Sequence, residues 1–259
     1  MATGSDRLLL ALKTLGHHSE GVSLDELARE LEAPKSSVHR ALATLRRAGF
    51  AEQDERSRYR LGTEFVRVAF EYQERRDEVD LVRPVLLSLA GWFSETAHYA
   101  KLEGAEVVYL AKIEPTGQAI KLTSRIGGRN PAHCTGIGKV LLAHALDDAD
   151  SVRAYVARHG PLTRRTPRTL TAPHELADDF ARTRARGYAV DAEESETGVN
   201  CIAFPVFLDS PTRPTGAISV SAVAMRTDVE RLEGAADGIR TIIEDRFGAV
   251  TRPRVGDGA

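Results

Sequence analysis

Pro34-Lys35-Ser36-Ser37-Val38-His39-Arg40-Ala41-Leu42-Ala43-Thr44-Leu45-Arg46-Arg47-Ala48-Gly49 is the stretch whose reading decides the fold of the N-terminal part. Wound as a helix at about 100° per residue, it puts Val38, Ala41, Leu42 and Leu45 on one side. Ser36, His39, Arg40, Ala43 and Arg47 fall on the other, flanked by Lys35, Ser37 and Thr44. No acid interrupts the run, whereas a solvated helix normally mixes Glu with its Lys and Arg. Cations, small residues and hydroxyls on one face suit a DNA major groove. Small residues permit close approach, Arg reaches guanine edges, and Ser or Thr bonds phosphate. Pro34 fits the first helical position, where no N–H is missed, and Gly49 is a natural stop.

The flanks complete a winged helix-turn-helix. Asp6 to Leu15 carries Leu8, Leu9, Leu12 and Leu15 at helical spacing. Ser23-Leu24-Asp25-Glu26 is a capping box opening a second helix, which Glu32-Ala33 ends in a short turn. Phe50–Glu52 and Tyr59–Leu61 read as a hairpin across Asp54-Glu55-Arg56-Ser57. Arg56, Arg58 and Arg60 alternate, so a regular strand would point all three to one side, as a wing for phosphate or the minor groove. The DNA-contact candidates are Lys35, Ser36, Ser37, His39, Arg40, Thr44 and Arg47 from the helix, with Arg56 and Arg58 from the wing. The domain is read as residues 1–62, followed by a charged helical linker at 63–77.

Charge distribution agrees. The 259 residues carry a net charge of only −2, but Pro34–Leu61 holds seven Lys/Arg against three Asp/Glu. One basic stretch in a near-neutral chain fits a confined anionic contact rather than a generally adhesive surface. Cys134 and Cys201 are too few for a zinc cluster or a disulfide framework and fit a reducing compartment. With no signal pattern and no apolar run near the roughly 20 residues of a membrane helix, the protein is expected to be cytoplasmic, with no membrane partner.

The remainder alternates. Helices are expected at 80–93, 137–145, 151–157, 174–186 and 228–247. Strands are expected at 97–102, 107–113, 119–123, 188–191, 201–207 and 217–222. This pattern predicts an α+β sensor domain over 78–250 built on an antiparallel sheet, with a disordered tail at 251–259.

Several runs together resemble the IclR-type transcriptional regulators. Ser23-Leu24-Asp25-Glu26-Leu27-Ala28 with Pro34–Leu45 matches their N-terminal domain. Ala132-His133-Cys134-Thr135-Gly136-Ile137-Gly138-Lys139, Gly187–Glu194, Cys201–Val206 and Gly216–Ser221 look like their effector domain. The resemblance covers nearly the whole chain in the right order. It implies a GAF-like effector-binding domain, a homodimer or dimer of dimers, and control of operator binding by a small organic effector. Helix 6–15 and the linker are the expected dimer contacts, and the linker the expected transmitter. Cys134 departs from the small apolar or hydroxyl residue expected at its place.

Gly136-Ile137-Gly138-Lys139 is not a phosphate loop: His133 stands where a Walker sequence needs Gly, and Val140 where it needs Ser or Thr. It reads instead as a helix N-terminus with Thr135 as cap, an end that attracts carboxylates. Thr135, Gly136 and Gly138 are therefore effector candidates. The resemblance adds Asp191, Cys201, Ser219 and Ser221. Taken alone, Cys201 reads as a buried small hydrophobe rather than a ligand contact and Asp191 as a strand-end turn former, while the serines at 219 and 221 share a strand face. An anionic carboxylic acid is the expected ligand. No hydrolase elbow, zinc-protease motif or dinucleotide fingerprint is present, so neither enzyme activity nor a cofactor is expected. His133 is expected to be a structural hydrogen bonder, and His17 and His18 loop residues. The alternative function is redox sensing through Cys201 or Cys134, which requires a stabilised thiolate.

Overall fold

In the computed structural model, residues 3–74, 77–115 and 122–248 are described. The chain divides into two compact units, Met1–Asp77 and Glu78–Ala259.

The first unit opens with helix α1 (Gly4–Leu15), started by a capping box in which Thr3 and Asp6 bond each other's backbone N–H. Helix α2 (Leu24–Glu30) begins on the expected Ser23–Glu26 box. After a turn, in which Glu32 takes a positive φ, comes α3 (Lys35–Arg47). Pro34 sits one place earlier than expected: its ψ of 134° makes it the N-cap, not the first helical residue. Strands β1 (Ala51–Gln53) and β2 (Tyr59–Leu61) pair antiparallel, and Val22 bridges Tyr59 to add a third short segment. Leu15, Val22, Leu27, Val38, Leu42, Leu45 and Tyr59 form the core beneath. Helix α4 (Thr63–Glu74) closes the unit.

The second unit is built on one six-stranded antiparallel sheet. Its strands are β3 (Thr96–Glu103), β4 (Glu106–Ile113), β5 (Arg129–Pro131), β6 (Ala189–Ala192), β7 (Val199–Val206) and β8 (Gly216–Val223), in the order β5-β4-β3-β8-β7-β6. Strand alternation sends Tyr99, Ile202, Phe204, Ile218 and Val220 to one face. There they pack with α5 (Asp77–Phe93), α9 (Val229–Gly234) and α10 (Ala236–Phe247). The other face carries Ala100, Val107, Ala203 and Ala217. It packs with α6 (Gly136–Ala145), α7 (Ala149–His159) and α8 (Pro173–Arg186).

Three expectations change. Of the strand placed at 119–123, residues 119–121 lie outside the described residues, and Leu122 and Thr123 are irregular. The edge strand is β5, whose preceding glycines and terminal Pro131 look like a turn in sequence. The single last helix is two, because Gly234 weakens it and Ala235, near φ −94° and ψ 1°, resets the backbone before α10. The expected tail 251–259 lies outside the described residues.

A short 3₁₀ turn, Ala132–Cys134, leads into α6, and Gly138 makes this tight entry possible. A Cβ there would lie 2.1 Å from the Ala132 carbonyl oxygen, a backbone atom that cannot swing aside. Gly138→Ala should therefore cost about 1–3 kcal/mol by overpacking. Gly91→Ala, within α5 where a Cβ meets nothing within 4 Å, should instead stabilise by about 0.5–1 kcal/mol. Urea unfolding of both variants checks the pair; equal effects would show that the Ala132–Gly138 contact carries no constraint.

Candidate functional site

Each unit brings one set of residues together. In the first, α3 buries Val38, Ala41, Leu42 and Leu45 and turns its acid-free side outward. Ser36, His39 and Arg40 are exposed, and their side chains hold no hydrogen bond or ion pair with a described residue. Ser37 is half-buried beside them. Lys35 pairs with Asp25 of α2 at 2.8 Å. The Thr44 hydroxyl donates to the Arg40 carbonyl at 3.0 Å and accepts from Arg47 at 3.2 Å. A hollow of about 270 Å³ between α1 and α3 is lined by Arg7, Ser37, Arg40 and Thr44. Arg7 was not singled out from the sequence, because α1 reads there only as a core helix.

The wing differs from expectation. Residues 54–58 form the turn, so the strand alternation does not reach Arg56 or Arg58. Asp54 Oδ1 accepts the N–H groups of Arg56 and Arg58 at 2.9 and 2.8 Å, which organises that turn. Arg56 is exposed at the tip. Arg58 instead turns inward, and its guanidinium donates to the Gly21 carbonyl, with Nε at 3.0 Å. Arg60 pairs with Glu52 at 2.6 Å. The three arginines do not form one basic row.

In the second unit, the face of the sheet toward α6 carries a polar belt. Asp191 lies opposite Cys201, and Cys201 opposite Ser221; Ala203 lies opposite Ser219 and Ser219 opposite His98. Cys201 Sγ is 3.1 Å from Ser221 Oγ. The N-terminal end of α6 docks on this belt: a Cβ at Gly136 would be only 3.4 Å from Cys201 Cβ and 3.3 Å from Ala203 Cβ. Thr135 caps the helix, its Oγ1 accepting from Gly138 N at 3.2 Å. The first-turn N–H groups of Gly136 and Ile137 have no intrahelical acceptor. Thr135, Gly136, Gly138, Cys201, Ser219 and Ser221 thus converge.

Asp191 adjoins them but is already engaged. Its carboxylate accepts from Glu194 N at 2.7 Å, Ser195 N at 3.2 Å and Ser195 Oγ at 2.6 Å. It holds the start of the β6–β7 loop. Burial raises its pKa, against the pull of those donors and of Lys139.

Sequence reading missed His98. Its Nδ1 is 3.4 Å from Ser221 Oγ and its Nε2 2.8 Å from Ser124 Oγ. Burial, aided by Lys112, pushes its pKa down to about 3, so it is neutral near pH 7. Its period-two place beside Ala97 and Tyr99 was the available signal. Lys112 donates to the carbonyls of Leu122 and Ser124 at 3.1 and 2.8 Å, and Thr123 donates to Glu196 at 3.2 Å. Residues 122–124 therefore lie over the belt. A separate crevice of about 640 Å³, lined by Leu141, His144, Arg213 and Thr215 among others, includes none of the expected effector residues.

Both cysteines are buried. Burial pushes the Cys134 thiol up to about 12 and Cys201 well above the usual value, with Asp191 adding to both. Neither carries the stabilised thiolate that redox sensing needs. His133 Nε2 donates to the Thr163 carbonyl, 3.1 Å away, a structural bond, and His18 pairs with Glu30 at 2.9 Å. Among the described residues no helix is long and apolar enough to cross a membrane.

Comparison with known proteins identifies both domains. Residues 5–55 match the model of the IclR helix-turn-helix domain, and residues 70–245 that of the bacterial transcriptional regulator IclR C-terminal domain. The HTH-type transcriptional regulator BhcR of Paracoccus denitrificans is 37% identical, covering 93% of this chain and 85% of its own. The crystal structure of the Thermotoga maritima IclR is similar at TM-score 0.74 and 27% identity, covering 93% and 97%. An IclR homologue from Microbacterium hydrocarbonoxydans complexed with 4-hydroxybenzoate shares the fold at TM-score 0.76 and 24% identity, covering 94% and 100%. The chain belongs to the IclR family of DNA-binding transcriptional regulators.

Proposed function

We propose that the chain binds an operator as a homodimer and that a small carboxylate held at the N-terminal end of α6 controls this binding. The observation that carries the effector reading is the docking of a capped, glycine-bearing helix end on Cys201 and Ala203, whose cross-strand neighbours are Ser221 and Ser219. Free first-turn N–H groups and the helix dipole favour a carboxylate there. The serines and neutral His98 suit a hydroxyl elsewhere on the ligand. A fold relative that binds 4-hydroxybenzoate, a hydroxylated carboxylate, supports the class. Asp191 takes the part of loop anchor, since three donors already occupy it. A ligand moves DNA affinity only through different affinity for two arrangements of the protein, and α4 is the proposed transmitter.

On DNA, Arg40 and Ser36 take the base edges, with Arg47 and Arg56 on phosphate. Arg40→Ala should cost about 1–3 kcal/mol and relax one base position. Arg56→Ala should weaken all sequences alike and lower the salt slope by about one unit. Arg58→Ala should mainly loosen the wing, because it releases the Gly21 carbonyl. Unchanged binding to operator and random DNA in the first two variants would refute this interface.

Leu9, Leu10, Phe65, Val66 and Val68 are exposed apolar residues on α1 and α4, the expected dimer surface. Sedimentation should give a dimer or larger at micromolar concentration, reduced by Leu9→Glu with Phe65→Glu. A monomer binding its operator one-to-one would rule the assembly out.

Calorimetry on wild type and Ser219→Ala/Ser221→Ala, using carboxylates found by thermal shift, tests the effector site. Affinity should fall about tenfold or more in the double variant, the loss of one charge-assisted hydrogen bond or two neutral ones. Undiminished affinity places the site elsewhere.

A further inference from the structure

Lys139, one turn into α6, is only 1% exposed. Its ammonium lies 2.5 Å from Glu194 Oε1 and 3.0 Å from Asp179 Oδ2 of α8. Burial lowers its pKa, but the two carboxylates more than reverse this, so it stays charged. Asp191 of β6, fully buried, adds a third carboxylate beside Glu194. One buried ammonium cannot neutralise three buried carboxylates, and surplus buried charge is removed by holding a proton.

Donor geometry says where that proton sits. Asp191 accepts three hydrogen bonds. Asp179 Oδ1 accepts from Arg182 at 3.2 Å, although its Oδ2, close to Lys139, lacks a hydrogen-bonding approach. Among the described residues, Glu194 has only Lys139 on one oxygen, and its Oε2 is buried with no hydrogen-bond partner. Around it, Arg165 is spent on the Ser195 carbonyl and Arg168 on Glu193. From the turn before α6, His133 is shifted toward neutrality and the Cys134 thiol is protonated. Burial pushes Glu194 up to about 7, against the pull of Lys139 and with Asp191 and Asp179 adding to the push.

Glu194 is linked directly to the belt, since its N–H holds Asp191 beside Cys201. We propose that binding a carboxylate at the N-terminal end of α6 is coupled to uptake of a proton by Glu194, so that the regulator holds its effector more tightly as the pH falls. This rests on the effector reading above. An added negative charge near Asp191 and Lys139 disfavours ionised Glu194, and by reciprocity protonation favours the ligand.

The linkage is visible without ligand. The folded pKa of about 7 exceeds the usual 4.5, so stability from this group is full below about pH 4.5 and is lost as pH rises through 7. Melting of wild type and Glu194→Gln should diverge over that window; parallel profiles overturn the proposal. Calorimetry of wild type at pH 7 in phosphate and in Tris, with acetate, benzoate and 4-hydroxybenzoate as probes, then counts protons. Uptake of about half a proton is expected, with a Kd rising by up to about tenfold per pH unit above 7. Binding without uptake overturns the coupling and leaves the effector reading intact. Failure of all three carboxylates to bind overturns both. The wild-type count stands even where Glu194→Gln fails to fold.

Discussion

Helix α6 approaches the sheet more closely than ordinary side chains allow, and the second unit is organised by that contact. Gly136 lets its first turn rest on Cys201 and Ala203, and Gly138 lets the backbone pass the Ala132 carbonyl. A helix held this near the strands brings its unpaired N–H groups within reach of whatever the strands display. Here they display hydroxyls, a thiol and an imidazole. The apolar side of the same helix, Ile137, Val140 and Leu141, packs into the core and fixes its roll, so Lys139 is driven inward as well. A buried lysine would be costly without partners, and Glu194 and Asp179 supply them. Close packing, the helix end and the ion cluster are thus three results of one arrangement.

Much of this was legible in sequence where a local rule decides the outcome. Ser23 and Glu26 form the capping box that their spacing demands, and the apolar positions of α3 are those its wheel gives. The glycines around Thr135 were correctly separated from a phosphate loop because two required residues are missing. What stayed hidden depends on distant partners. Arg58 alternates with Arg60 in sequence, yet Gly21, far away in the chain, offers a bare carbonyl that captures it. Lys139 looks like a helix-surface lysine until α8 and the β6–β7 loop fold over it. β5 is too short and too rich in Gly and Pro nearby to carry a strand signal, and it exists because β4 needs a neighbour at its edge.

Asp191 shows the same dependence on partners. Two readings were open, ligand contact and turn former, and both follow from a carboxylate at a strand end. The turn-forming part depends on Ser195, whose hydroxyl and N–H both donate to the Asp191 carboxylate. His98 shows the converse case. Its strand alternation shows only which face it takes; pairing of β3 with β8 sets it opposite Ser219 and makes it part of the belt.

The two units also use charge in opposite ways, and the solvent explains why. On α3, Arg40 and His39 are exposed and have no side-chain partner among the described residues, and a phosphate-rich surface rewards a cation such as Arg40 that no described acid has neutralised. Water screens such cations at little cost while they wait. Behind α6, water is excluded, so an unpaired charge would be expensive and every ionic group is matched or made neutral. His98 is neutral and the two thiols are protonated; Lys139 is charged only because carboxylates surround it. In such a place a helix dipole and fixed N–H groups can attract an anion without a dedicated surface cation. A small ligand there meets an environment already polarised before it arrives, whereas DNA meets charges that become fully effective only on contact.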